Sequence, residues 1–117
     1  MSLILFHNPR CSKSRETLAL LEQHHIHPKI ELYLQNTYTP AELQHLADKL
    51  GISDVRQMMR TKDALYDELG LDNPNLSQEA LLQAISRHSS LLERPILING
   101  NKAKIGRPPE SVLAILD

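Results

Sequence analysis

Apolar residues open the chain as the continuous run Leu3-Ile4-Leu5-Phe6, the signature of a short buried strand. His7-Asn8-Pro9 ends it, because Pro lacks an amide donor and Asn favours a turn. A helix is expected from Cys11, capped by Ser12 or Ser14, with Leu18, Leu20 and Leu21 as its apolar stripe and Pro28 closing the unit. Lys29 to Leu34 then alternates polar with apolar at Ile30, Leu32 and Leu34, the period of a half-buried second strand. Strand, helix, strand in that order implies a parallel pair.

The middle of the chain carries helical signals. Thr39-Pro40-Ala41-Glu42 is a capping box with Pro at the first helical position, followed by Leu43, Leu46, Ala47 and Leu50 and a stop at Gly51. Ser53 to Met59 and Asp63 to Leu69 read as short helical pieces, with Met58-Met59 in the core. Ser77 caps a longer helix through Leu81, Leu82 and Ile85 that closes in Arg87-His88. Near the end, Asn99-Gly100 separates two strand-like runs, Ile96 to Ile98 and Lys102 to Ile105, and predicts a hairpin with positive φ at both turn positions. Pro108-Pro109-Glu110 opens a last helix that turns Val112, Leu113 and Leu116 inward. This succession is that of an α/β, thioredoxin-like fold: a mixed four-stranded sheet with a helical insertion at about 38–90, in a single domain spanning 1–117.

Composition narrows the function. A net charge of -1 and 3% aromatics with no Trp argue against a nucleic-acid binder, which needs clustered cations and stacking platforms. No apolar run is long enough for a membrane span, and Met1 to Phe6 lacks the length and cationic lead of an export signal. The lone cysteine fits a reducing cytoplasm and leaves no Cys-rich metal site, so no metal and no bound cofactor are expected.

Chemistry therefore centres on Cys11. A thiol reacts as thiolate, and a helix N-terminus lowers its pKa by aiming unsatisfied N–H groups at the sulfur, where the same donors suit an oxyanion. The bland alternative is a small buried hydrophobe, which a loop at a strand tip disfavours. His7 stands at the end of the strand, where it is placed to donate to the loop backbone or to the sulfur and to favour the charged form of the thiol, or simply to stabilise the turn. Arg60, Arg94 and Arg107 lack acidic partners four residues away, and bidentate guanidinium groups hold tetrahedral oxyanions well if they converge. Position 17 is Thr, which rules out a phosphatase loop, and position 14 is Ser, which rules out a dithiol redox motif. Any reduction must then be completed by thiols from other molecules.

The ordered motifs His7-Asn8-Pro9-Arg10-Cys11-Ser12-Lys13-Ser14-Arg15, Glu68-Leu69-Gly70-Leu71, Arg94-Pro95-Ile96 and Gly106-Arg107-Pro108 resemble the glutaredoxin-linked arsenate reductase family over nearly the whole chain. Within that family the likeness is to small bacterial proteins with a Cys-Ser-Lys-Ser loop. The resemblance implies an oxidoreductase for arsenic detoxification: Cys11 attacks arsenate, glutathione enters as co-substrate, and glutaredoxin supplies the second thiol as arsenite leaves. It further implies that Arg60, Arg94 and Arg107 bind the oxyanion, His7 tunes the thiol, Ser14 bonds near the sulfur and Pro95 is cis. Two other functions compete with it. One is a redox-responsive regulator of RNA polymerase, which the missing second cysteine disfavours. The other is a monothiol protein that forms mixed disulfides with glutathione and has no arsenate site.

Overall fold

A computed structural model describes residues 3–116; Met1 and Ser2 of the opening Met1 to Phe6 run, and Asp117 at the end of the expected 1–117 domain, lie outside the described residues. The chain divides into two compact units, residues 3–35 with 94–116, and residues 36–93.

The first unit holds the sheet. Strand β1 (Leu3–Phe6) leads through helix α1 (Ser12–Gln23) to β2 (Lys29–Glu31), and the chain returns as β3 (Ile96–Asn99) and β4 (Lys102–Ile105). The strand order is β2-β1-β3-β4, with β1 parallel to β2 and antiparallel to β3, and β3 antiparallel to β4. The expected mixed four-stranded thioredoxin-like sheet is present. Central β1 is paired on both edges, so its residues are the continuous apolar run that double burial requires. Leu5 and Leu97 from the sheet, Leu21 from α1, and Val112 and Ile115 from the C-terminal segment form the core beneath it.

Four local expectations change. The second strand stops at Glu31, and Tyr33–Gln35 forms a 3₁₀ turn. Tyr33 then goes inside, stacked on Phe6 with ring centroids 6.1 Å apart, while Ile30 and Leu34 are 39% and 46% exposed. A Tyr ring buries more area than a Leu side chain, which favours the frame that the turn creates. In the hairpin Asn99 stays in β3 opposite Lys102, and the turn is Gly100-Asn101. Gly100 alone has positive φ there, at +60°, the pattern of a II′ turn with Gly at its first central position. The last helix is 3₁₀ over Pro109–Ile115 and buries Val112 and Ile115, three residues apart, while Leu113 and Leu116 are half-buried. Finally, α1 buries Ser14, Thr17 and Leu21 rather than a stripe of leucines.

The second unit is helical. Helix α2 (Pro40–Leu50) has its full capping box, with Thr39 Oγ1 accepting from Glu42 N–H and Glu42 Oε1 from Thr39 N–H, and ends at Gly51 in the left-handed conformation, φ +70°. Asp54 caps a 3₁₀ turn over Val55–Met58, Asp63 caps α3 (Ala64–Glu68), and Ser77 caps α4 (Gln78–Arg87). Helix α2 packs on α4, and Leu43, Leu46, Met58, Met59, Leu81, Leu82 and Ile85 are buried. Among the described residues no helix is long and apolar enough to cross a membrane.

Candidate active site

Cys11 sits at the N-cap of α1 with extended backbone, and its amide donates to Asn8 C=O at 3.0 Å. It is a free thiol and only 8% exposed. No side-chain hydrogen bond of ordinary geometry closes the cap, so Ser12 and Ser14 do not cap the helix as expected. Burial pushes the Cys11 thiol up, but the Ser14 amide, the Arg94 guanidinium and the Lys13 amide together bring it below its ordinary value. The helix-terminus argument thus holds, and a cation is added to it.

Arg107 brings a second cation. Its Nη2 donates toward Cys11 Sγ at 3.7 Å, and its Nε donates to Arg94 C=O at 2.9 Å, so the two arginines are linked. Arg94 Nε and Nη1 are buried with no hydrogen-bond partner among the described residues. Buried donors left unpaired beside a thiol are a binding position for an oxyanion, which would satisfy them. Both arginines precede a cis proline, at Arg94–Pro95 and Arg107–Pro108, in agreement with the implied cis geometry at Pro95.

Ser14 is placed differently from a cap. It is fully buried, and its Oγ accepts from Asn8 N–H at 3.0 Å and lies 2.7 Å from His7 Nδ1. The expected donation from His7 to the sulfur or loop backbone is replaced by this Ser14 contact. Burial, aided by the charge of Arg15, holds the His7 imidazole below its ordinary value, so it favours the neutral rather than the charged form. Ser14 Oγ thus bridges the Asn8 amide and His7 Nδ1, which fixes the loop ahead of Cys11.

Arg60 belongs to the second unit, where Nη1 pairs with Asp63 Oδ2 at 2.8 Å. Its acidic partner stands three residues away rather than four, across the turn in which Asp63 N–H donates to Arg60 C=O. Arg15 was also missed: its Nη1 donates to Pro9 C=O at 3.0 Å and braces the loop. Its place four residues beyond Cys11, facing back across the first turn, was the available signal. Among the described residues no three His, Cys, Asp or Glu side chains are grouped to hold a metal ion.

Known proteins share this arrangement of chain and fold. Residues 6–115 match the ArsC family. An arsenate reductase of Haemophilus influenzae is 70% identical over 99% of this chain and 100% of its own length. One from Neisseria meningitidis is 53% identical over 96% of each chain. The solved structure of an arsenate reductase from Vibrio cholerae, 50% identical, superposes with a TM-score of 0.96 over 99% of this chain and 98% of its own. On its sequence and its fold, the chain belongs to the ArsC family.

Proposed function

We propose that this protein reduces arsenate to arsenite, with the Cys11 thiolate as nucleophile and glutathione and glutaredoxin as the source of electrons. The observation that carries the reading is the meeting of the Cys11 thiol, held below its ordinary pKa, with Arg107 and with Arg94, whose buried Nε and Nη1 await an acceptor. The names of the Haemophilus and Neisseria relatives supply the substrate.

In this scheme arsenate lies against the guanidinium groups, which offset its charge as Cys11 sulfur bonds to arsenic and one oxygen leaves as water. A glutathione thiol joins the adduct as a second oxygen leaves as water. A glutaredoxin thiolate then attacks the glutathione sulfur, the electron pair of the sulfur–arsenic bond passes to arsenic, and a glutaredoxin–glutathione disulfide forms; water displaces the Cys11 sulfur from arsenic, which releases arsenite and restores the resting thiol. The overall balance is one arsenate and two thiols to one arsenite, one disulfide and one water. His7 and Ser14 hold the loop rather than transfer protons to arsenic. A single catalytic domain in the cytoplasm, where thiols are kept reduced, suits this cycle.

Arsenite formation from arsenate, glutathione and glutaredoxin tests the proposal. Cys11→Ser is expected to abolish turnover with the circular dichroism of the fold unchanged. Arg94→Ala should lower kcat/KM by about 10²–10³, as for other preorganised charge partners. Arg60→Ala reports whether the arginine of the second unit contributes. A wild type that forms a glutathione mixed disulfide at Cys11 but no arsenite, with Arg94→Ala harmless to that step, would replace arsenate reduction by the monothiol reading.

A further inference from the structure

Arg94 and Arg107 come from different loops, yet both act on one sulfur. Arg94 precedes Pro95 at the entry to β3, and Arg107 follows Gly106 at the exit of β4. Backbone ties these loops together, since Gly106 N–H donates to Pro95 C=O at 2.9 Å.

The seat for this pair on the cysteine helix is Thr17, a residue that the proposed chemistry does not use. Thr17 is fully buried, and its Oγ1 donates to Lys13 C=O at 2.8 Å, which holds the hydroxyl in place. A Cβ at position 106 would stand 2.7 Å from Thr17 Oγ1 and 2.8 Å from Pro95 Cγ, closer than real side chains approach. Gly106 is not among the residues with positive φ, so it is close approach, not backbone conformation, that excludes a side chain there.

We propose that Thr17 and Gly106 are positioning residues whose contact sets how near the Arg94 and Arg107 guanidinium groups lie to the Cys11 sulfur. A methyl group at 106 forces Thr17 or Pro95 to move, and each arginine is one residue from the displaced backbone. Packed interiors transmit such shifts because they have no free volume to absorb them. The inference rests on Cys11 working as a thiolate, as in the proposed function, but not on arsenate as the substrate.

The test reads the thiol directly, as the rate of alkylation by iodoacetamide against pH in the full chain. Gly106→Ala is expected to raise the titration midpoint by about half a pH unit or more, equivalent to about threefold less thiolate below both midpoints. Thr17→Ala combined with Gly106→Ala removes the nearer obstacle and should recover part of the shift. Val112→Ala, a cavity in the core of the same unit, should lower Tm and leave the midpoint in place, which separates positioning from loss of stability. Should Gly106→Ala not fold, the choice falls to Thr17→Ser and Thr17→Val. Serine keeps the hydroxyl and should titrate like wild type, whereas valine puts a methyl at the contact and should raise the midpoint. An unmoved midpoint in Gly106→Ala, no recovery in the double variant, or Thr17→Val equal to Thr17→Ser would overturn the proposal. Failure of the wild type to reduce arsenate would count against the proposed function and leave this one standing, because alkylation needs no arsenate.

Discussion

Ser14 occupies the position where a dithiol protein would carry its second cysteine, and here its hydroxyl joins Asn8 to His7. Because Cys11 N–H donates to Asn8 C=O, any slack at Ser14 passes directly to the nucleophile. Ser14→Ala leaves the Asn8 amide and His7 Nδ1 without this partner. The cost should be about 1–3 kcal/mol in urea unfolding, with slower alkylation of Cys11; an unchanged urea midpoint would show that water replaces the hydroxyl. Residue type and position singled out Cys11, Arg94 and Arg107, which the fold brings together, because chemistry restricts which side chains suit a thiolate and an oxyanion; Arg60, chosen on the same ground, pairs with Asp63 instead. They did not reveal the work of Ser14. A serine at the start of a helix reads as a cap, and only the folded loop shows Asn8 and His7 within its reach.

Helix α2 was legible to the residue because its boundary signals are local: Thr39 and Glu42 satisfy each other's amides, and Gly51 takes the left-handed stop. A Cβ at Gly51 meets nothing within 4 Å, so Gly51→Ala tests backbone conformation alone and should lose about 1 kcal/mol of stability in denaturant titration. A loss well above that would mean the helix end is also held by contacts. Elements whose form depends on partners distant in sequence were less legible. The second strand was misread because its alternation of Ile30, Leu32 and Leu34 competes with Tyr33, whose burial against Phe6 appears only once the sheet is assembled. The hairpin was placed one residue early because Asn-Gly is a strong turn pair, yet the pairing of Asn99 with Lys102 makes Gly100-Asn101 the loop. The last segment holds good helix formers, but inward residues three apart suit the tighter 3₁₀ winding.

At the scale of the whole molecule, a chain of net charge -1 sets two arginines, Arg94 and Arg107, against one thiol, and folding stability must then depend on pH through the site. Two groups set the direction. The folded state lowers the Cys11 thiol, so between the folded value and an unfolded value of about 8.5 the unfolded chain binds more protons and stability rises with pH. This contribution is complete above about pH 8.5 and is lost as pH falls through the folded value. The folded state also lowers His7, so acidification from neutrality through about pH 6.5 protonates the unfolded chain first and draws the equilibrium toward unfolding. Both slopes have the same sign in different windows, which makes them separable. Urea unfolding at about pH 5.5, 7 and 9 should show wild type gaining on Cys11→Ser as pH rises from 7 to 9, and gaining on His7→Gln as it rises from 5.5 to 7. A difference from Cys11→Ser that stays flat with pH would mean the thiol is not a thiolate held by its surroundings, and with it would go the nucleophile on which arsenate reduction depends.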